Sequence, residues 1–153
     1  MTHPTTSQTP ANMTDNTGVR GGPRYLLRIE GLLALGLSVL AYSHLDGSWA
    51  WFAALFLMPD LVLLGYLGGP RLGAALYNIG HSFIGPALLA GAGWSFGAPA
   101  LLLGAVIWTA HIGFDRALGY GMKYASGFRD THLGRVGRTH APTAMPTATL
   151  PQS

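Results

Sequence analysis

The sequence predicts an all-α, polytopic membrane protein of four transmembrane helices between disordered tails. Three observations point there. Only 10% of the 153 residues are charged while 49% are apolar, a balance soluble domains of this size seldom show. Four apolar stretches, each close to the length of a bilayer core, follow one another along the chain. All 9 Lys and Arg fall on one side if those stretches alternate in direction.

Residues 1–23 are rich in Thr, Ser, Asn, Gln and Pro with no apolar period, and residues 139–153 repeat that character, so both read as disordered tails. Residues 24–138 then form one transmembrane domain with a juxtamembrane cap at its C-terminal end. The first stretch, Leu26 to Tyr42, follows Arg20, Arg24 and Arg28, and Ala41-Tyr42-Ser43 loosely resembles a signal-peptide cleavage site. Glu30 at the start of the run, and three more apolar stretches after it, favour a membrane anchor instead. The others run from Trp49 to Leu67, Leu72 to Ala92 and Ala98 to Phe114. A soluble four-helix bundle would need a polar face on each helix at a period of 3.6 residues. LLALGLSVLA and ALLLGAVIWTA are apolar around the whole circumference.

Arg20, Arg24 and Arg28 precede or open the first helix, Arg71 lies between the second and third, and Arg116, Lys123, Arg129, Arg135 and Arg138 follow the fourth. The opposite loops, 43–48 and 93–97, carry none. By the positive-inside rule both termini are cytoplasmic, with Trp49, Trp51 and Trp94 at the outer interface. The net charge of +3 therefore reads as topological. No basic run with interleaved aromatics suggests nucleic acid, and the partner implied is the lipid bilayer. The absence of Cys excludes disulfides, thiolate metal sites and cysteine nucleophiles.

Several residues do not belong in lipid. Asp60 lies inside the second stretch, where a central Asp costs about 2.5–3.5 kcal/mol and calls for a partner. Pro59 before it cannot donate to the helix ladder. The third stretch supplies Tyr77, Asn78 and His81 on one helix face, and the fourth supplies His111 and Asp115 four residues apart, with Arg116 alongside. Glu30 lies near the cytoplasmic end of the first. Each has an ordinary reading: Glu30 and Asp115 as snorkelling partners of Arg28 and Arg116, Asn78 as interhelical glue, His81 as a packed imidazole. Together they place polar groups from every helix in one half of the bilayer.

Carboxylates and imidazoles converging there can bind a divalent metal such as zinc, relay protons or hold a polar ligand head. The metal reading assigns Asp60, His81 and His111 as ligands and Asp115 as a ligand or the orienter of His111, with Glu30, Tyr77, Asn78 and Arg116 around them. Asp130 and His132, two apart in the segment after the fourth helix, are candidates for the mouth of the site. That segment, RALGYGMKYASGFRDTHLGRVGR, reads as a cap lying on anionic headgroups. No HExxH, glycine-rich phosphate loop or Ser-His-Asp spacing is present, so no catalytic residue can be assigned.

The segments LLRIEGLLALGL, MPDLVLLGYLGGPRLGAALYNIGHS, WTAHIGFDRALGYGMKY and FRDTHLGRVG together resemble an uncharacterised bacterial membrane-protein family, domain of unknown function 4260, from about Tyr25 to Gly137. The resemblance implies a small polytopic protein of the bacterial cytoplasmic membrane and carries no activity. A narrower likeness, Pro59-Asp60 followed by Gly80-His81-Ser82, resembles membrane-bound metal-dependent hydrolases of the phospholipase C-like group. It lacks their second Asp two positions after the first and the basic residue beside the His. Two functions follow as expectations: a metal-dependent hydrolase of a lipid-like substrate, or a non-enzymatic membrane protein in which the same groups form a relay or polar lock. A complete transporter would need oligomerisation, and a homo-oligomer stays open.

Overall fold

The computed structural model describes residue 19, residues 21–124 and residues 130–135. The predicted tails lie almost wholly outside these residues, as do Arg20, Arg129 and Arg138. The fold is helical: α1 (Gly22–His44), α2 (Trp49–Phe56), a 3-10 segment (Met58–Gly68), α3 (Pro70–Gly80), α4 (Ile84–Ser95) and α5 (Pro99–Leu118). A two-residue hairpin, β1 (Asp130–Thr131) with β2 (Gly134–Arg135), follows in antiparallel register.

Three helical segments are long and apolar enough to cross a membrane: Gly22–His44, Trp49–Gly68 and Pro99–Leu118. Their outward faces are apolar, with Leu32, Leu33, Leu37 and Leu40 of α1 and Leu61, Leu64 and Leu67 of the second segment all exposed. These features are compatible with a membrane protein. The third apolar stretch differs from expectation, since it is two helices separated by His81, Ser82 and Phe83. Pro86 explains the break: a helix running through it would lose the bond to the Ser82 carbonyl and drive the proline ring into that group. At 11 and 12 residues, α3 and α4 are each too short to span about 30 Å at 1.5 Å per residue.

Pro59 has a parallel effect. With no N–H to offer the carbonyl of Leu55, α2 ends at Phe56 and the chain tightens, Asp60 N donating to Leu57 O at 3.1 Å. Eleven residues of 3-10 helix follow, well beyond the 3–4 usual for this conformation, and such a stretch inside a helix often marks a hinge or a sequence under strain.

Helix α5 is the centre of the fold, with α1 along one side and α4 along the other, while the 3-10 segment packs on α3. The α1/α5 contact is backbone against backbone. A Cβ on Gly113 would lie 2.7 Å from Leu35 N and 2.8 Å from Gly31 O, and one on Gly31 would lie 2.8 Å from Gly113 O. Only glycine permits that approach, the small-residue solution by which helices associate where the hydrophobic effect gives no help. An aromatic row, Tyr42, Trp49, Phe52 and Phe56, with neighbouring centroids 5.0 to 5.6 Å apart, climbs from the α1–α2 turn to His111 and Phe114.

Helix α5 ends where Gly119 takes the left-handed conformation at φ 97°, and Tyr120 N returns to Asp115 O at 2.8 Å. The chain then folds back over the α3 and α5 ends as a cap. Its anchor is Asn78, whose side chain donates to Lys123 O at 2.9 Å and accepts from Lys123 N at 2.7 Å. The expected headgroup-lying segment is thus tied, at Lys123, to the bundle itself.

Candidate metal centre

Four side chains from three elements meet between the end of α3 and the middle of the Trp49–Gly68 segment. Asp60 comes from the 3-10 segment, His81 from the residue that caps α3, and His111 and Asp115 from successive turns of α5. One donor atom from each lies within 4.8 Å of all the others. His81 Nε2 is 3.3 Å from Asp60 Oδ1, 3.4 Å from Asp115 Oδ2 and 3.2 Å from His111 Nε2, which is itself 3.5 Å from Asp60 Oδ1.

Local structure aims each group. The cap position of His81 lets its backbone N–H and its Nδ1 both reach Tyr77 O, at 2.8 and 3.0 Å. A carbonyl only accepts, so the Nδ1 of His81 carries the proton and neutral His81 turns a bare Nε2 lone pair into the cluster. The Tyr77 ring stacks on His81 with centroids 3.8 Å apart, and the Tyr77 hydroxyl donates to Asp115 Oδ2 at 3.0 Å. Trp108 Nε1 donates to Gly80 O at 2.7 Å, pinning the end of α3 to α5 just before His81. His111 packs edge-on to Phe56, and its Nδ1 has no hydrogen-bond partner among the described residues.

Burial is uneven. His81 and His111 are 4% and 1% exposed at the side chain, Asp115 16% and Asp60 37%. Two carboxylate oxygens and two imidazole nitrogens crowded together repel one another unless a metal ion or shared protons lie between them. A tetrahedral ion with bonds of about 2.0–2.2 Å sets its ligands about 3.3–3.6 Å apart, close to the three distances among Asp60, His81 and His111 and to that between His81 and Asp115, with all four donors inside 4.8 Å. The donor set, mixed nitrogen and carboxylate oxygen, suits zinc or a similar divalent ion.

The remaining sequence candidates separate. Tyr77 supports both His81 and Asp115, while Asn78 holds the cap and does not reach the cluster donors. Arg116 borders a small cavity with Tyr77, His81, Asp115 and Tyr120, its guanidinium 4.5 Å from the Phe83 ring centre. Glu30 is exposed on α1, within electrostatic range of Arg116 and outside the donor set. His132 accepts from Met122 N through Nδ1 at 2.8 Å and packs over Gly121, in the cap wall rather than the cluster, and burial holds its imidazole below the usual value. Asp130 is described only in its backbone, paired with Arg135.

Sequence reasoning missed Lys123, taken as one more topological charge. It is buried in the cap with Nζ 4.5 Å from the Tyr77 ring centre. Burial pushes its ammonium below the usual value, and the Asp115 and Asp60 carboxylates pull it back. Nothing in GYGMKYASG distinguishes a cap lysine from a headgroup lysine, because the difference lies in the Asn78 contact.

A bundle of apolar helices around a buried two-histidine, two-aspartate cluster is the class of protein these features define. Its family is shown directly: residues 24–136 match the family described as Domain of unknown function (DUF4260), and the chain belongs to it. No curated protein and no solved structure matches the chain.

Proposed function

We propose that this chain is a metal-dependent hydrolase of the bacterial cytoplasmic membrane, acting on a lipid-like substrate at a divalent ion held by Asp60, His81 and His111, with Asp115 beside them as a further ligand or the group that orients them. The observation that carries the reading is the triangle of 3.2–3.5 Å distances among the donor atoms of Asp60, His81 and His111, which matches one face of a tetrahedron around such an ion. With Asp60, His81 and His111 as its protein ligands and the fourth position left to water, a bound ion would lower the pKa of that water to about 7 and supply hydroxide for attack on an ester. Tyr77 orients both His81 and Asp115, the supporting contact that metal-binding imidazoles and carboxylates usually have. Asp60, the most exposed donor, marks the side open to substrate. Purified chain added to phosphatidylethanolamine and phosphatidylglycerol vesicles is expected to release a lipid cleavage product, to stop on chelation and to resume with zinc. Turnover that ignores the chelator, or none in metal-loaded protein, contradicts the hydrolase.

In this reading α3 and α4 form a fourth, discontinuous crossing, their broken junction placing His81 within the membrane, where irregular backbone is tolerated if it lines a polar site. Both termini and the 68–71 loop are then cytoplasmic, supported by the segregation of the basic residues. Reporters fused after Arg138 are expected to read cytoplasm, and reporters at Gly47 or Gly97 the opposite side. A C-terminal reporter reading the outer side contradicts the four-crossing topology.

One observation favours the non-enzymatic alternative. Metal-binding imidazoles almost always donate their second N–H, and His111 Nδ1 has no acceptor among the described residues. If that nitrogen is bare, His111 Nε2 carries the proton and donates to His81 Nε2 at 3.2 Å, making a proton-sharing lock of the same four groups.

A further inference from the structure

An apolar groove of about 360 Å³ runs beside the cluster, its walls including Leu55, Met58, Leu61 and Val62 on one side and Leu89 and Trp108 on the other. That volume falls in the range of small-molecule sites, roughly 300–1,000 Å³. The walls offer a ligand no side-chain hydrogen-bond donor, because the one N–H among them, Trp108 Nε1, is already given to Gly80 O at 2.7 Å. Met58 and Leu61 are exposed, so the groove opens sideways, in the direction a membrane would occupy.

The groove and the cluster are built from adjacent residues. Pro59 in the groove precedes Asp60 in the cluster, and Gly80 precedes His81. Ile107 and Trp108 lie one helical turn before His111 on α5. Beyond the cluster, Asp115, Arg116 and Tyr120 line the small cavity under the cap. A molecule in the groove therefore lies along hydrocarbon walls with the four donor atoms next to it. That juxtaposition suits the acyl chain and ester linkage of a phospholipid.

We propose that the groove holds one acyl chain of a membrane phospholipid, entering sideways between the 3-10 segment and α4, with its ester region at the cluster. This rests on the hydrolase reading for the site's chemistry, and it specifies the substrate as a phospholipid presented from within the bilayer. The groove is empty of polar demands, so an acyl chain can leave the bilayer for it without losing any hydrogen bond.

The test uses full-length protein in vesicles containing a phosphatidylglycerol with a photoactivatable diazirine in its acyl chain. After irradiation, labelled peptides are mapped and metal content is measured on the same samples. Wild type is expected to be labelled at residues 58–62, at Leu89 and at residues 104–108, besides the general labelling of the exposed α1 face. Gly104→Phe and Leu89→Trp fill the groove from α5 and from α4 and are expected to lower the groove label about tenfold, leaving the α1 label and the metal content unchanged. Gly104→Ala is expected to behave as wild type, because its Cβ meets only Leu89 Cδ2, at an ordinary 3.6 Å. Equal groove labelling in wild type and both filled variants overturns the proposal. Groove labelling that responds to the variants in a protein without metal keeps the acyl site and removes the hydrolase, while stoichiometric metal with unresponsive labelling does the reverse.

Discussion

Asp60→Asn, His81→Ala and His111→Ala are each expected to strip most of the divalent metal from protein purified in detergent without chelator. Losing one of these three ligands leaves an ion with poor geometry and an unfilled position. Stability should fall in parallel, because an ion bound only by the folded chain stabilises it by mass action, about 2.7 kcal/mol when present at 100 times its Kd. Tyr77→Phe removes only the hydroxyl that holds Asp115 Oδ2 at 3.0 Å, and is expected to weaken metal affinity about 10–100-fold with the fold intact. A proton-sharing lock reverses the sign at Asp60: Asn keeps hydrogen-bonding capacity while removing a charge from low dielectric, so that variant would be as stable as wild type or more so. Thermal unfolding and elemental analysis on the same preparations separate the two.

Gly113→Leu is expected to be the most damaging change outside the cluster. The new Cβ would stand 2.7 Å from Leu35 N and 2.8 Å from Gly31 O, and both are backbone atoms that no rotamer change can move. Overpacking usually costs about 1–3 kcal/mol, and here the whole α1/α5 crossing has to part, so the loss should reach or exceed the top of that range. Gly31→Leu should act alike. Gly36→Leu, on the same helix with nothing within 4 Å of its Cβ, is expected to stay within about ±0.5 kcal/mol. Thermal midpoints in detergent measure the difference. Equal midpoints for the variants at Gly36 and Gly113 would mean that α1 does not pack on α5 through these glycines.

The helical class and the long apolar segments were legible because they are properties of composition and run length. Circumferential apolarity in LLALGLSVLA needs no tertiary information to read. The break in the third stretch was half legible: Pro86 was available as a helix-breaking signal, but a run of apolar residues on both sides hid it. The cluster was legible residue by residue, because Asp and His are costly in an apolar helix and only mutual contact relieves the cost. Its supports were less so. That the Tyr77 carbonyl would take both the N–H and the Nδ1 of His81 depends on α3 ending at Gly80, and that Lys123 would be buried depends on Asn78 reaching across 45 positions of sequence. The α1/α5 crossing is similarly non-local, since Gly31 and Gly113 look like any two of 22 glycines until the helices are placed side by side.

The central claim is that Asp60, His81, His111 and Asp115 hold an ion. Elemental analysis of wild-type protein, purified in detergent without chelator, tests it most directly. A single divalent ion per chain, zinc or a close relative, is the result expected from the donor set. A wild type without stoichiometric metal, together with an Asp60→Asn variant at least as stable, would contradict the claim and leave the four groups as a proton-sharing lock.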